Sequence, residues 1–270
     1  MKVFIAKHAG FCFGVKRAVE YVLKLKKDVN TIGPLIHNPQ VIEKLKSCGI
    51  IPVNSLKQVS TKNLVIRAHG VPEKIIKKAK ELGLNVIDLT CPFVKKVQKK
   101  AKELELQGYK VVIVGEAKHP EVRAIIENLN QAVVIENPSQ VKGFYGKVGV
   151  VAQTTQAREN FYKVVERLKL CCNELRVYNT ICEATEKRQR AAIELAKIVD
   201  IMIVIGGYNS ANTKRLKQLC SKIVETKHIE SKDELKRGWF EGKARVGITA
   251  GASTPGWIIK DVAEWFQNEF

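Results

Sequence analysis

The sequence predicts an α/β protein of three pseudo-repeated modules, each a mainly parallel sheet flanked by helices, arranged around one central site. Three observations point there. Short β-branched runs alternate with amphipathic, Lys-rich segments of helical period from end to end, the pattern of parallel strands covered by helices. A cysteine stands between a strand-like run and a basic helix three times, at Cys12, Cys91 and Cys182, with intervals of 79 and 91 residues. No Ser/Gly-rich linker or low-complexity tract divides the 270 residues, so the organisation is an internal period and not a string of separate parts.

The elements follow in the same order each time. Strand-like runs at 2–6, 85–89 and 176–181 lead to the three cysteines, and helices are predicted at 15–27, 93–107 and 184–198. After each helix comes a strand and a polar loop: Ile36-His37-Asn38-Pro39, Lys118-His119-Pro120-Glu121 and Tyr208-Asn209-Ser210-Ala211-Asn212. A further strand ends in a small capped turn, at Asn54-Ser55, Asn137-Pro138-Ser139-Gln140 and Ser231-Lys232-Asp233-Glu234. The next strand ends in a second polar loop: Arg67-Ala68-His69-Gly70, Gln153-Thr154-Thr155-Gln156 and Gly251-Ala252-Ser253-Thr254-Pro255. The third copy has no fourth strand of its own, and the run at 2–6 is expected to close its sheet. The modules are therefore placed at 13–91, 92–182, and 183–270 together with 1–12.

Composition narrows the class. At 45% hydrophobic residues the chain has ample material for a core, and its longest apolar stretch before Gly206-Gly207 is far short of a membrane span. A cytoplasmic location without membrane attachment is expected, since Val3 to Ala6 is too short for a signal-peptide core. The net charge of +19 allows a polyanion, an anionic substrate, an acidic protein partner or merely solubility. Nucleic acid is disfavoured by an aromatic content of 7% and by the lack of an aromatic-rich basic strand motif.

In parallel α/β sheets ligands bind beyond the carboxyl ends of the strands, where all these polar loops lie. Three thiols near helix starts can hold zinc with a fourth ligand, as in a hydrolase, or an iron-sulfur cluster with one iron left open. The other thiols, Cys48, Cys171, Cys172 and Cys220, fit helix ends or core positions. His37, His69 and His119 follow strands at equivalent places and, with hydroxyl and amide donors of the third module, suit a dianionic group such as phosphate. Glu121 stands two residues after His119 and reads as a helix cap or as a proton donor beside a metal. Thr154 and Thr155 read as caps or ligand contacts, and His8 and His228 are given no role.

Gly10-Phe11-Cys12-Phe13-Gly14-Val15, Ala68-His69-Gly70-Val71, Asp88-Leu89-Thr90-Cys91-Pro92, His119-Pro120-Glu121-Val122, Gln153-Thr154-Thr155, Thr180-Ile181-Cys182-Glu183-Ala184-Thr185, Asn209-Ser210-Ala211-Asn212 and Gly251-Ala252-Ser253-Thr254-Pro255 closely resemble the LytB-type 4-hydroxy-3-methylbut-2-enyl diphosphate reductase family. The resemblance extends over essentially the whole chain. It implies three α/β modules around a central iron-sulfur site, and an oxidoreductase that removes the allylic hydroxyl of its substrate with two electrons and two protons. The products would be isopentenyl and dimethylallyl diphosphate, at the end of the methylerythritol phosphate route. By resemblance Cys12, Cys91 and Cys182 ligate one 4Fe-4S cluster whose open iron binds the substrate hydroxyl. Glu121 would be the proton source, Thr154 would orient the substrate oxygen and relay protons, and His119 would lie near the proton path. His37, His69, His119, Ser210, Asn212 and Ser253 would hold the diphosphate, with Gln153 and Thr155 giving hydrogen-bond support at the substrate. A ferredoxin- or flavodoxin-like electron donor is implied. One departure is visible: many members carry a second serine where this chain has Ala211.

Overall fold

The computed structural model describes residues 1–25, 28–143 and 146–270. In chain order the elements are β1 (Lys2–Ile5), α1 (Phe13–Lys24), β2 (Val29–Ile32), α2 (Pro39–Lys46), β3 (Ile50–Val53), β4 (Asn63–Ile66), α3 (Glu73–Glu81), β5 (Asn85–Asp88), α4 (Pro92–Leu106), β6 (Lys110–Val114) and α5 (Pro120–Ile126). They continue with β7 (Ala132–Ile135), β8 (Lys147–Ala152), α6 (Arg158–Lys169), β9 (Glu174–Val177), α7 (Glu183–Ala196), β10 (Ile201–Ile205), α8 (Ala211–Cys220), β11 (Thr226–Ile229), β12 (Arg245–Ala250) and α9 (Gly256–Glu269).

The strands form three four-stranded sheets, β3-β2-β4-β5, β7-β6-β8-β9 and β11-β10-β12-β1, with every pairing parallel. The strand order is the same three times. The last sheet is completed by β1, which runs beside β12 with Lys2 opposite Arg245 and Ile5 opposite Ile248. The capped turns repeat as well: the backbone N–H groups of Asn54, Glu136 and Glu230 donate to the side chains of Gln58, Gln140 and Glu234 at 2.9, 2.7 and 2.7 Å.

The chain divides into two compact units. One contains Met1–Lys16, Ile36–Glu43 and Glu183–Phe270, and with them the β11-β10-β12-β1 sheet. The other contains Arg17–Leu35 and Lys44–Cys182, with the remaining two sheets. Period-two alternation explains the uninterrupted apolar strands. In β10, Ile201, Ile203 and Ile205 pack with Ile258, Val262 and Phe266 of α9, whereas Met202 and Val204 pack with Leu195 of α7 and Leu216 of α8. In β6, Val112 and Val114 pack with Phe161 and Val164 of α6, whereas Val111 and Ile113 face Val97 and Leu104 of α4. A sheet covered on both faces needs apolar side chains on both.

The element boundaries differ most from the sequence reading at two places. The first helix is placed at Phe13–Lys24, and Lys26 and Lys27, at the end of its expected span, lie outside the described residues. The strand expected at 176–181 lies earlier, at Glu174–Val177. Its second half is turned away by side chains: Asn179 Oδ1 accepts the Ile181 N–H at 3.1 Å, and Thr180 Oγ1 donates to Ala152 O at 2.7 Å while accepting Ala152 N–H at 2.8 Å. No helix among the described residues is long and apolar enough to cross a membrane.

Candidate active site

Each cysteine of the repeat immediately precedes the first residue of a helix: Cys12 before α1, Cys91 before α4 and Cys182 before α7. Their backbone N–H groups make one repeated bond, to Ala252 O at 3.2 Å, Ala68 O at 3.0 Å and Thr154 O at 3.0 Å. Each acceptor lies in the polar loop after the neighbouring strand, so the repeat sets the same cysteine geometry three times. All three thiols are half-buried, and none of the seven cysteines is in a disulfide. Each thiol stands at a helix N-terminus, whose dipole favours bound negative charge, and a thiolate so placed is the kind of donor that suits a soft metal group such as an iron-sulfur cluster. The other thiols differ in setting. Burial pushes Cys220 up to about 12, and burial followed by the nearby Cys171 raises Cys172.

Within the larger unit, α5 begins at the carboxyl end of β6. His119 caps it, its Nδ1 accepting the Glu121 N–H at 3.2 Å, which places a neutral ring's proton on Nε2. The His69 ring meets the His119 ring edge-on with centroids 5.5 Å apart. Glu121 is 2% exposed. Its carboxyl accepts two bonds from one residue, the Thr154 N–H to Oε1 and the Thr154 hydroxyl to Oε2, each 2.7 Å. Burial outweighs these two bonds and raises the Glu121 pKa to about 7. A carboxyl with that pKa can hold or release a proton near neutrality, and the hydroxyl bonded to it is Thr154 Oγ. Gln153, also buried, spends its amide on the protein: Oε1 accepts the Glu116 N–H at 2.9 Å and Nε2 donates to Thr155 Oγ1 at 2.8 Å. That pair braces the loop that carries Thr154.

Within the other unit, the equivalent strand ends carry neutral donors. Ser210 caps α8 by accepting the Thr213 N–H, and Asn212 in the first turn of α8 is 3% exposed. Neither polar atom of the Asn212 amide has a hydrogen-bond partner among the described residues. A buried amide with an unused donor is suited to an anionic oxygen. The Ser253 hydroxyl donates to His37 O at 2.9 Å, and a Cβ on Gly207 would stand 2.6 Å from the same carbonyl, so only glycine permits this approach. Ala211 is buried between Ser210 and Asn212.

Several polar side chains at these loops carry no role in the sequence reading. His228 Nε2 donates to Gly206 O at 2.7 Å at the head of the Ser210 loop, and burial lowers its pKa. Asn38 caps α2 through the Val41 N–H. Arg17 and Arg188 reach the backbone before Cys91 and Cys12. Arg188 had a readable signal, because it shares the buried stripe of α7 with Thr185, Gln189, Ala192 and Leu195.

With this geometry in hand, the comparisons with known proteins are specific. A family model described as LytB protein matches residues 3–267. A 4-hydroxy-3-methylbut-2-enyl diphosphate reductase from Trichlorobacter lovleyi is 49% identical over 97% of this chain and 96% of its own, and one from Geobacter sulfurreducens is 46% identical over 99% and 98%. Two solved structures cover 99% of the chain. One, described as (E)-4-hydroxy-3-methyl-but-2-enyl diphosphate reductase, the terminal enzyme of the non-mevalonate pathway, is 44% identical with a TM-score of 0.71 and is covered completely. The other, the E-1-hydroxy-2-methyl-but-2-enyl-4-diphosphate reductase from Plasmodium falciparum, is 26% identical with a TM-score of 0.91 and is covered to 87%.

Proposed function

The chain belongs to the LytB protein family, and on that premise we propose that it is an oxidoreductase acting on 4-hydroxy-3-methylbut-2-enyl diphosphate. The reaction is reductive dehydroxylation: two electrons and two protons enter, the allylic C–O bond breaks, and water leaves with isopentenyl or dimethylallyl diphosphate. It is the last step of the methylerythritol phosphate route, in the cytoplasm, with a ferredoxin- or flavodoxin-like electron donor. The modules are bounded at 13–91, 92–182, and 183–270 with 1–12.

Cys12, Cys91 and Cys182 would hold one 4Fe-4S cluster. Bound there, it supplies electrons and a Lewis-acidic iron with an open coordination position. The chain's own residues supply the remainder. Glu121 stores a proton at neutral pH, because burial keeps its carboxyl partly protonated. Thr154 Oγ, 2.7 Å from Glu121 Oε2, turns from donor to acceptor when that carboxyl is protonated and so passes the proton towards the departing oxygen. His119 orients the start of α5 through Nδ1 and presents its Nε2–H, with His69 beside it, to the substrate. His37, Ser210, Asn212 and Ser253 hold the diphosphate by hydrogen-bond donors, and Gln153 and Thr155 keep Thr154 in place.

The buried Glu121–Thr154 pair is the single structural observation that carries the proposal, because it sets a proton donor and a relaying hydroxyl side by side. Anaerobic purification tests it. A brown protein containing iron and acid-labile sulfide, which consumes the allylic diphosphate when given reduced dye, is expected. A colourless zinc protein that releases phosphate would sink the proposal.

A further inference from the structure

Two arginines beside the cysteine loops have no part in the proposed chemistry. Arg17 Nη2 donates to Leu89 O at 3.0 Å and to Thr90 O at 2.9 Å, while its buried Nε has no hydrogen-bond partner. Thr90 O belongs to the peptide whose nitrogen is that of Cys91, and this N–H donates to Ala68 O at 3.0 Å. The peptide leading into Cys91 is therefore gripped at both ends, and the Thr90 N–H before it is held by Asp88 Oδ1 at 2.9 Å. In the other unit Arg188, 2% exposed, donates from Nη2 to Gly10 O at 2.8 Å and from Nη1 to Ala184 O at 3.3 Å. Gly10 stands two residues before Cys12 with a φ of +95°, and Cys12 N–H is held by Ala252 O. Each guanidinium comes from the helix that directly follows one cysteine of the repeat and ends on carbonyls just before another.

We propose that Arg17 and Arg188 are positioning residues for the cluster, fixing the Cys91 and Cys12 loops and raising the reduction potential by placing positive charge beside them. The proposal rests on the assignment of Cys12, Cys91 and Cys182 as ligands. Arg17 ends on neutral carbonyls, which do not neutralise its charge as a carboxylate would. Arginine keeps that charge at every working pH. A reduced cluster carries one more negative charge than an oxidised one, and a nearby cation stabilises it selectively.

The test uses anaerobically purified holoenzyme carrying Arg17→Lys, Arg17→Gln or Arg17→Met, read by iron content, by a spectroelectrochemical titration and by amide exchange at Cys91. Lys keeps charge and donor, and its potential should stay near that of the parent. Gln keeps a donor without the charge and should shift the one-electron equilibrium about tenfold towards the oxidised form, about 59 mV. Met should show the same shift and faster exchange of the Cys91 N–H. Arg188→Lys and Arg188→Gln carry the same expectation at Cys12. If Met does not fold, Lys and Gln still decide. Equal potentials across the Lys and Gln variants overturn the proposal, whereas a parent protein that binds no iron overturns the ligand assignment and leaves the amide-exchange prediction standing.

Discussion

Equivalent positions of the repeated module carry opposite chemistry in the two units. The loop after β6 and the loop after β8 bring together Glu121 and Thr154, an acid and a hydroxyl buried against each other. The corresponding loops after β10 and β12 carry Ser210, Asn212 and Ser253, all buried and all neutral. Burying a carboxyl penalises its charged form, and the pKa rises until the group can trade protons at neutral pH. Burying amides and hydroxyls leaves donors whose strength does not change with pH. One scaffold thus buries an ionisable carboxyl in one unit and the non-titrating donors Ser210, Asn212 and Ser253 at the corresponding loops of the other.

The sharpest way to break this comparison is Glu121→Gln. The amide still accepts the Thr154 N–H and can donate to Thr154 Oγ, so the loop is retained while the proton is lost. Turnover should fall by about 10²–10⁴-fold, the range for a general acid, with KM little changed. Steady-state kinetics of the iron-loaded enzyme measure it, and a loss below about threefold would remove Glu121 from the proton path.

Stability against pH comes next. Glu121 ionises near 4.5 in the unfolded chain and near 7 in the folded one, so between those values the folded state binds more protons. Stability from this group is present below pH 4.5 and is lost as pH rises through 7, to a total of about 3 kcal/mol. Denaturant titrations from pH 5 to 8 should show that decline in the parent protein and not in Glu121→Gln. Parallel curves would mean that the carboxyl is hydrated after all.

The neutral side of the comparison predicts smaller effects. Asn212→Ala should weaken diphosphate binding about tenfold, the worth of a hydrogen bond to a charged group, and the loss should be constant from pH 6 to 8 in calorimetry. A loss that grows with pH would place a titrating group in the cradle. Ala211→Ser adds one buried hydroxyl between Ser210 and Asn212. It should tighten binding by about 0.5–1.5 kcal/mol if its hydroxyl meets a phosphate oxygen, and weaken it if the hydroxyl is left unpaired.

Much of the fold was readable because its signals are local. Apolar runs such as Ile201–Ile205 announce strands covered on both sides, and the repeated order of cysteine, polar loop and capped turn anticipated three sheets with β1 closing the third. The readings failed where side chains compete with the backbone. Asn179 and Thr180 look like strand residues in a β-branched stretch, yet their side chains capture the N–H and C=O groups that a strand would use. Arg17 was hidden among many basic residues, since only its contacts with Leu89 O and Thr90 O separate it from a solvated face, whereas Arg188 could have been read from the apolar stripe of α7.

The sequence by itself determined the alternation of strands and helices, the threefold period and the residue types at each strand end. These depend on spacing along the chain and on residue chemistry, both visible in one dimension. Only the tertiary structure decided that Thr154 meets both oxygens of Glu121, that this carboxyl is dry enough to titrate near 7, and that Arg17 ends on the peptide before Cys91. Those facts depend on desolvation and on contacts between residues 33 and 73 positions apart, which arise only when the sheets are packed.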